Sequence, residues 1–204
     1  MKTWSEYIKR HTYRLALLFL LFIGVLAVTY FFLDYIESRQ GTVLNDPLLS
    51  IIPTANVAIP LFILTYIGSI FGIIYVIRKP DMTVLTALTY MLILIVRMGC
   101  MYVTPLEPPV NIIPLRDIFL ESTFYSGNVM LKDLFFSGHT ASMFLFFMVI
   151  QNKKIKTVYA FITLAVACLL LIQHAHYTVD VIIAPIMVWF SYRIAIFIQN
   201  KYFS

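Results

Sequence analysis

The chain has 204 residues, of which 61% are hydrophobic and 12% charged, with a formal net charge of +5. Soluble domains carry roughly twice that charged fraction, so a water-soluble fold is excluded and the length fits one membrane domain, 1–204. The cations are confined to short segments between apolar runs, which excludes a nucleic-acid surface, and both cysteines, Cys100 and Cys168, fall inside apolar runs, which excludes a disulfide framework.

Residues 1–14 are mixed and basic, with Trp4 and Tyr7 suited to an interface, and read as a cytoplasmic or interfacial segment. The apolar run 15–33 is too long for a signal-peptide core and lacks a small-residue cleavage site, so it predicts a retained transmembrane helix. Residues 34–56, with Gly41, Pro47 and Pro53, predict a loop. A second helix is predicted over 57–77, closed by Arg78, Lys79 and Pro80, and a third over 82–103, where Arg97 is the only charge. The connection 104–136 contains Pro105, Pro108, Pro109 and Pro114, and a loop of that length in a small protein is usually functional. Three more helices are predicted over 137–152, 155–172 and 178–198.

The expected fold is therefore all-α and polytopic, with six transmembrane helices and both termini on one side. Lys2, Lys9, Arg10, Arg14, Arg78, Lys79, Lys153, Lys154, Lys156 and Lys201 fall on that side, which the positive-inside rule makes cytoplasmic. The opposite, exoplasmic face has Arg39, Arg116 and Lys132 set among Asp34, Glu37, Asp46, Glu107, Asp117, Glu121 and Asp133, together with every motif that carries chemistry.

Those motifs are FSGHT at 136–140 and HAHYTVD at 174–180. His176 and Asp180 are four residues apart, one turn of a helix, so the carboxylate can hold one imidazole nitrogen and leave the other free as a base or nucleophile. His139 follows Ser137 and Gly138 at the start of an apolar run, where a helix N-terminus favours an anion. Ionisable residues in a membrane segment are functional by default. Two imidazoles and a carboxylate suit metal-independent phosphoryl transfer. His176 would form a phosphohistidine, His139 would act as acid and then base, and the backbone at Ser137 and Gly138 would hold the non-bridging oxygens. A Ser137 nucleophile is the weaker reading, because no G-x-S-x-G elbow surrounds it. A zinc site on His139, His174 and His176 is open, though Asp180 more naturally orients His176. No cofactor motif is present.

At these residues the chain resembles the type-2 phosphatidic acid phosphatase superfamily, and DLFFSGHT at 133–140, HAHYTVDV at 174–181 and RMGCMYVT at 97–104 resemble its sphingomyelin synthase-like branch. The resemblance spans roughly residues 90–195. It implies six transmembrane helices, a catalytic triad of His139, His176 and Asp180, and transfer of a phospho-headgroup from a phospholipid donor to a lipid alcohol acceptor such as ceramide or diacylglycerol. Asp133, His174 and Tyr177 fall on motif positions and, with Arg97, Ser137 and Gly138, are the candidates for substrate binding. Two departures stand out. Ala175 occupies the place of an acidic residue in that branch, which affects the headgroup, and Leu170 replaces the third-motif arginine of the lipid phosphatases. With few cations on the active side, Arg97, Arg116 and Lys132, a singly charged phosphodiester fits better than a phosphomonoester dianion. Glu107, Glu121 and Tyr125 could face a cationic headgroup. Alternative functions are a lipid phosphatase or phospholipase C-like hydrolase with the same triad, and a non-catalytic lipid carrier.

Overall fold

Thr3 accepts from the Glu6 N–H while the Glu6 carboxylate accepts from the Thr3 N–H, a capping box that starts the first helix at Trp4, ahead of the apolar run. That helix, α1, spans Trp4–Ser38 in two segments that meet at a kink at His11, where the backbone leaves helical geometry (φ −123°, ψ 22°). The kink separates a short N-terminal segment from the long apolar one. His11 is buried, with its ring 4.8 Å from that of Tyr7 and 5.7 Å from that of Phe203.

The computed structural model describes residues 3–116 and 130–203. Among them, α1 is followed by the short α2 (Pro47–Ile51), then α3 (Ala58–Val76), α4 (Pro80–Val103), α5 (Gly138–Val149), α6 (Lys153–Ile172) and α7 (Thr178–Tyr202). The one strand-like pairing among these residues is an isolated bridge between Thr42 and Leu106. Pro80, expected to close the second helix, opens α4 at a position whose missing N–H costs nothing.

Five helices, α1, α3, α4, α6 and α7, are long and apolar enough to cross a membrane. The helix expected over 137–152 is shorter: α5 has 12 residues, about 18 Å of rise against a hydrocarbon core of roughly 30 Å. Its C-terminus is set locally. Ile150 is extended, and the Asn152 side chain accepts from the N–H groups of Lys154 and Ile155, so the next helix starts at Lys153. Its N-terminus is set by depth. Gly138 lies against the Arg97 guanidinium, and Arg97 is six residues, about 9 Å, before the end of α4. Residues 130–137 therefore descend into the bundle before α5 begins.

This recessed helix is the hub, packed against α3, α4, α6 and α7. Met143, Leu145, Phe146 and Val149 are buried in the main core with Leu61, Val166 and Val188. A side chain at Gly72 of α3 would meet the Phe146 ring at 2.5 Å, so the close approach of α3 and α5 needs glycine there. The peripheral α1 rests chiefly on α4 and exposes Leu17, Phe19, Leu20, Leu21 and Phe31, a surface suited to lipid.

Long-range hydrogen bonds sort the two ends. Trp4 Nε1 donates to the Ile77 carbonyl at 2.8 Å, Gln199 Nε2 to the Asp81 carbonyl at 2.6 Å, and Arg14 to the Tyr202 carbonyl. The start of α1, the α3–α4 turn and the end of α7 thus share one end. At the other, Ala55 N–H donates to Ile172 O, Val57 N–H to the Gln173 side chain, and Ile113 N–H to Gln173 O.

Candidate active site

Asp180 stands in the first turn of α7, where a carboxylate reaches back to the helix's unpaired N–H groups. Its Oδ2 accepts from the Tyr177 N–H at 3.0 Å and lies 3.3 Å from His176 Nδ1. The second contact is long for an N–H···O bond, as catalytic hydrogen bonds often are before substrate binds. Asp180 is fully buried, and its Oδ1 has no hydrogen-bond partner among the described residues. With Nδ1 against Asp180, Nε2 is the His176 nitrogen that this contact leaves open.

His139 occupies the first turn of α5, its ring 6.5 Å from that of Phe62. Both histidines line one cavity of about 300 Å³, whose wall also includes Arg97, Asp133, Gly138 and Ala175. Sequentially distant motifs are brought together by a main-chain bond, from the Ser137 N–H to the Asp180 carbonyl at 3.2 Å. Ser137 caps α5: its hydroxyl accepts from the Thr140 N–H at 3.4 Å and donates to the Thr140 hydroxyl at 3.1 Å. A hydroxyl so occupied, in a residue with no exposed surface, gives no support to a serine nucleophile.

Arg97 donates through Nε to the Phe136 carbonyl and through Nη2 to Asp133 Oδ1, both at 2.6 Å. These use two of the five guanidinium donors, leaving the remainder for an anion in the cavity. A Cβ on Gly138 would lie 3.2 Å from the guanidinium carbon, so glycine lets Arg97 press against the N-terminus of α5. The Gly138 N–H, in the first turn, has no intrahelical acceptor. Arg97 and the N-terminus of α5 thus line the same cavity as the two imidazoles, groups suited to an anion.

The other candidates lie elsewhere. His174 adopts a left-handed conformation (φ 53°) at the end of α6, with its N–H donating to Leu171 O and the Ala175 N–H to Leu170 O. This is the Schellman arrangement, with histidine where glycine is commonest. Its ring turns away from the cavity, Nε2 lying 3.0 Å from Ile52 O and Nδ1 3.4 Å from Val110 O. The Tyr177 hydroxyl donates to Glu107 O at 2.9 Å and accepts from Leu44 N–H at 3.1 Å. Both residues clamp the loops over the site.

Loop charges are also committed to structure. Lys132 donates to Glu107 at 2.9 Å and to Arg39 O at 2.6 Å, and Glu107 accepts from Gly41 N–H at 2.8 Å. The Lys132 hydrogen bond, with that of Gly41, holds the Glu107 carboxyl below its usual range. Asp46 accepts from the N–H and hydroxyl of Thr178 at the start of α7. Of Arg97, Arg116 and Lys132, Arg97 alone lines the cavity. Glu121 and Tyr125 lie outside the described residues.

Unforeseen in the sequence are the hydroxyl residues deeper in the cavity: Thr29 of α1, Thr65, Tyr66 and Ser69 of α3, Tyr90 of α4 and Ser142 of α5. Their recurrence at helical spacing within apolar runs, Thr65 with Ser69 above all, is the signal that could have found them.

Fold and site together define a multi-pass α-helical membrane protein with a histidine–carboxylate pair and a second histidine around one internal cavity. Residues 132–197 match the family model described as PAP2 superfamily C-terminal, so this stretch is similar to the type-2 phosphatidic acid phosphatase superfamily. The matched stretch contains Asp133, His139, His176 and Asp180, while Arg97 lies before it. No curated protein matches the chain.

Proposed function

We propose that this protein is a lipid phosphotransferase that moves a phospho-headgroup from a glycerophospholipid to a lipid alcohol, in the manner of the sphingomyelin synthase-like branch. The observation that carries this reading is the shared cavity: two imidazoles at its polar end, and apolar side chains of α1, α3 and α4 beyond them. In the first step His176 Nε2 attacks phosphorus. A P–N bond forms, the P–O bond to diacylglycerol breaks, and protonated His139 gives its proton to the leaving oxygen. In the second step His139 takes the proton of the incoming alcohol, whose oxygen displaces His176. Asp180 holds the imidazole by Nδ1 and offsets the positive charge it acquires. Arg97 and the N-terminus of α5 stabilise the non-bridging oxygens.

The charge balance favours a phosphodiester. The one lysine or arginine in the described cavity wall, Arg97, is already paired with Asp133. A monoester dianion would enter with too little compensation, whereas a diester brings a single negative charge. The substrate's tails stay in lipid, since exposing each methylene costs about 0.8 kcal/mol. They reach the site past α1, which rests chiefly on α4 and leaves the α3 side of the cavity without a tightly packed neighbour. Six apolar helices, with α5 as the short one, and the distribution of Lys and Arg support a topology with the basic end in the cytoplasm and the histidines on the exoplasmic side.

The test is turnover of labelled phospholipid by purified protein with and without ceramide or diacylglycerol. Acceptor-dependent product supports the transferase. Acceptor-independent release of phospho-headgroup or phosphate assigns a hydrolase, and absence of turnover leaves a carrier. Orientation is checked with an impermeant thiol reagent, which should modify Asn111→Cys from outside intact cells or vesicles and spare Lys154→Cys.

A further inference from the structure

Hydroxyl side chains inside a bundle normally bond back to their own helix, because lipid and apolar neighbours offer nothing else. Three hydroxyl residues of the cavity wall do so: Thr29 donates to Val25 O at 2.8 Å, Thr65 to Leu61 O at 2.9 Å and Ser142 to Gly138 O at 2.9 Å. Ser69 and Tyr90 do not. Both line the cavity, both are half-buried, and neither hydroxyl has a hydrogen-bond partner among the described residues. The Tyr90 ring packs at 6.1 Å against Phe22 of α1, which fixes it at the α1–α4 seam. Tyr90 lies seven residues before Arg97 on α4, about 10 Å further from the charged end. Ser69 lies seven residues beyond Phe62, the ring beside His139, and so is displaced about 10 Å in the same direction.

The cavity thus has two polar levels: ionic groups at the histidines, and below them two open hydroxyls set among Leu26, Leu94 and Met143. A phosphate carries its ionic groups at one level. The carbonyl groups that join a lipid's backbone to its chains lie a few bonds further along and are neutral acceptors. We infer that Ser69 and Tyr90 form a neutral hydrogen-bonding subsite for the ester or amide carbonyls of a two-chain lipid, fixing how deep that lipid sits and so where its reacting oxygen meets the histidines. This rests on the phosphotransferase reading for its use in catalysis, but binding at the subsite is separable from turnover.

The experiment measures photolabelling of the full chain in detergent micelles by a diacylglycerol bearing a diazirine on one acyl chain, against the matching dialkyl-ether glycerol, which lacks carbonyls. Wild type should take the ester in preference by about three- to tenfold, the worth of one or two net hydrogen bonds. Ser69→Ala and Tyr90→Phe should each reduce that preference, and the double variant should abolish it while still labelling with the ether. Retained ether labelling shows that the double variant is folded and its cavity open. Competition by unlabelled phosphatidylcholine separates the two sources of carbonyl: displacement assigns the subsite to the donor, persistence to the acceptor, and either upholds it. Equal labelling of wild type by ester and ether, no labelling by either, or an unchanged preference in the double variant would overturn the proposal. Because no step requires turnover, an inactive wild type that still discriminates ester from ether would sink the phosphotransferase reading and leave the subsite standing.

Discussion

The main-chain N–H of Ser137 donates to the main-chain carbonyl of Asp180 at 3.2 Å, joining the cap of α5 to the first turn of α7. The bond matters because each partner already serves its own helix terminus: Ser137 caps α5, and the Asp180 side chain accepts from the N–H of Tyr177, the cap residue of α7. Two helix starts are thereby fixed to one another, and the histidines they carry face one cavity. The backbone segments that carry His139 and His176 are thus held together by a main-chain bond.

That arrangement sets the expected result of removing each member. His139→Ala should lower kcat about 10²- to 10⁴-fold, the usual worth of a general acid–base. His176→Ala should lose at least as much, and near wild-type turnover in that variant would eliminate the covalent route. Asp180→Asn should cost less than His176→Ala, since the amide oxygen can still accept from the Tyr177 N–H while the imidazole is held less well. Single-turnover assays on labelled phospholipid, with monodispersity as the check on folding, read all three.

Gly138→Ala isolates the phosphate pocket from the chemistry. The new methyl would lie 3.2 Å from the Arg97 guanidinium, which is anchored on Phe136 O and Asp133 and has little room to retreat. Displacement of Arg97 should lower kcat/KM about tenfold, equivalent to roughly 1.4 kcal/mol of transition-state binding, with a much smaller change in Tm. A large loss of Tm with unchanged kcat/KM in the surviving fraction would show that the contact is only structural.

His174 separates backbone from ring. His174→Gly removes the imidazole contacts with Ile52 and Val110, worth about 1 kcal/mol, but relieves the left-handed strain that histidine carries at φ 53°. His174→Ala loses the same contacts and keeps that strain, about 1–2 kcal/mol. Chemical or thermal unfolding in detergent should therefore rank both wild type and Gly above Ala. Equal stability of the two variants would contradict the geometry.

Acid should loosen the loop layer before the bundle. Glu107 titrates below its usual value, chiefly through the Lys132 hydrogen bond and then that of Gly41 N–H. At Asp46 burial pushes the other way, but hydrogen bonds from Thr178, Leu49 and Leu48 outweigh it and the net direction is also down. A carboxyl lowered on folding contributes stability that is fully present above its unfolded pKa, about 4. That stability is lost as pH falls through the folded value. Tm followed from pH 7 to 3 should fall at the acid end of that range, and Glu107→Gln should flatten part of the slope. An unchanged slope in that variant would remove Glu107 from the account.

Hydropathy alone determined most of the bundle, because the cost of placing a side chain in lipid is local to that residue. The runs 57–77, 82–103 and 178–198 match Ala58–Val76, Pro80–Val103 and Thr178–Tyr202 to within a few residues. The His176–Asp180 contact was legible for the same reason, since helical spacing fixes an i, i+4 pair without distant partners. Depth was not. Apolar composition is the same whether a helix starts at the membrane surface or part-way down, so only the seating of Gly138 on Arg97 reveals that α5 is short and recessed. The fate of the polar residues also depends on partners far away in sequence. Arg97 meets Asp133, His174 meets Ile52 and Val110, and Tyr177 meets Leu44 and Glu107, while Ser69 and Tyr90 meet no hydrogen-bond partner in the described chain. Whether a buried polar group serves the scaffold or the cavity is decided by what it bonds to, and that only the tertiary structure supplies.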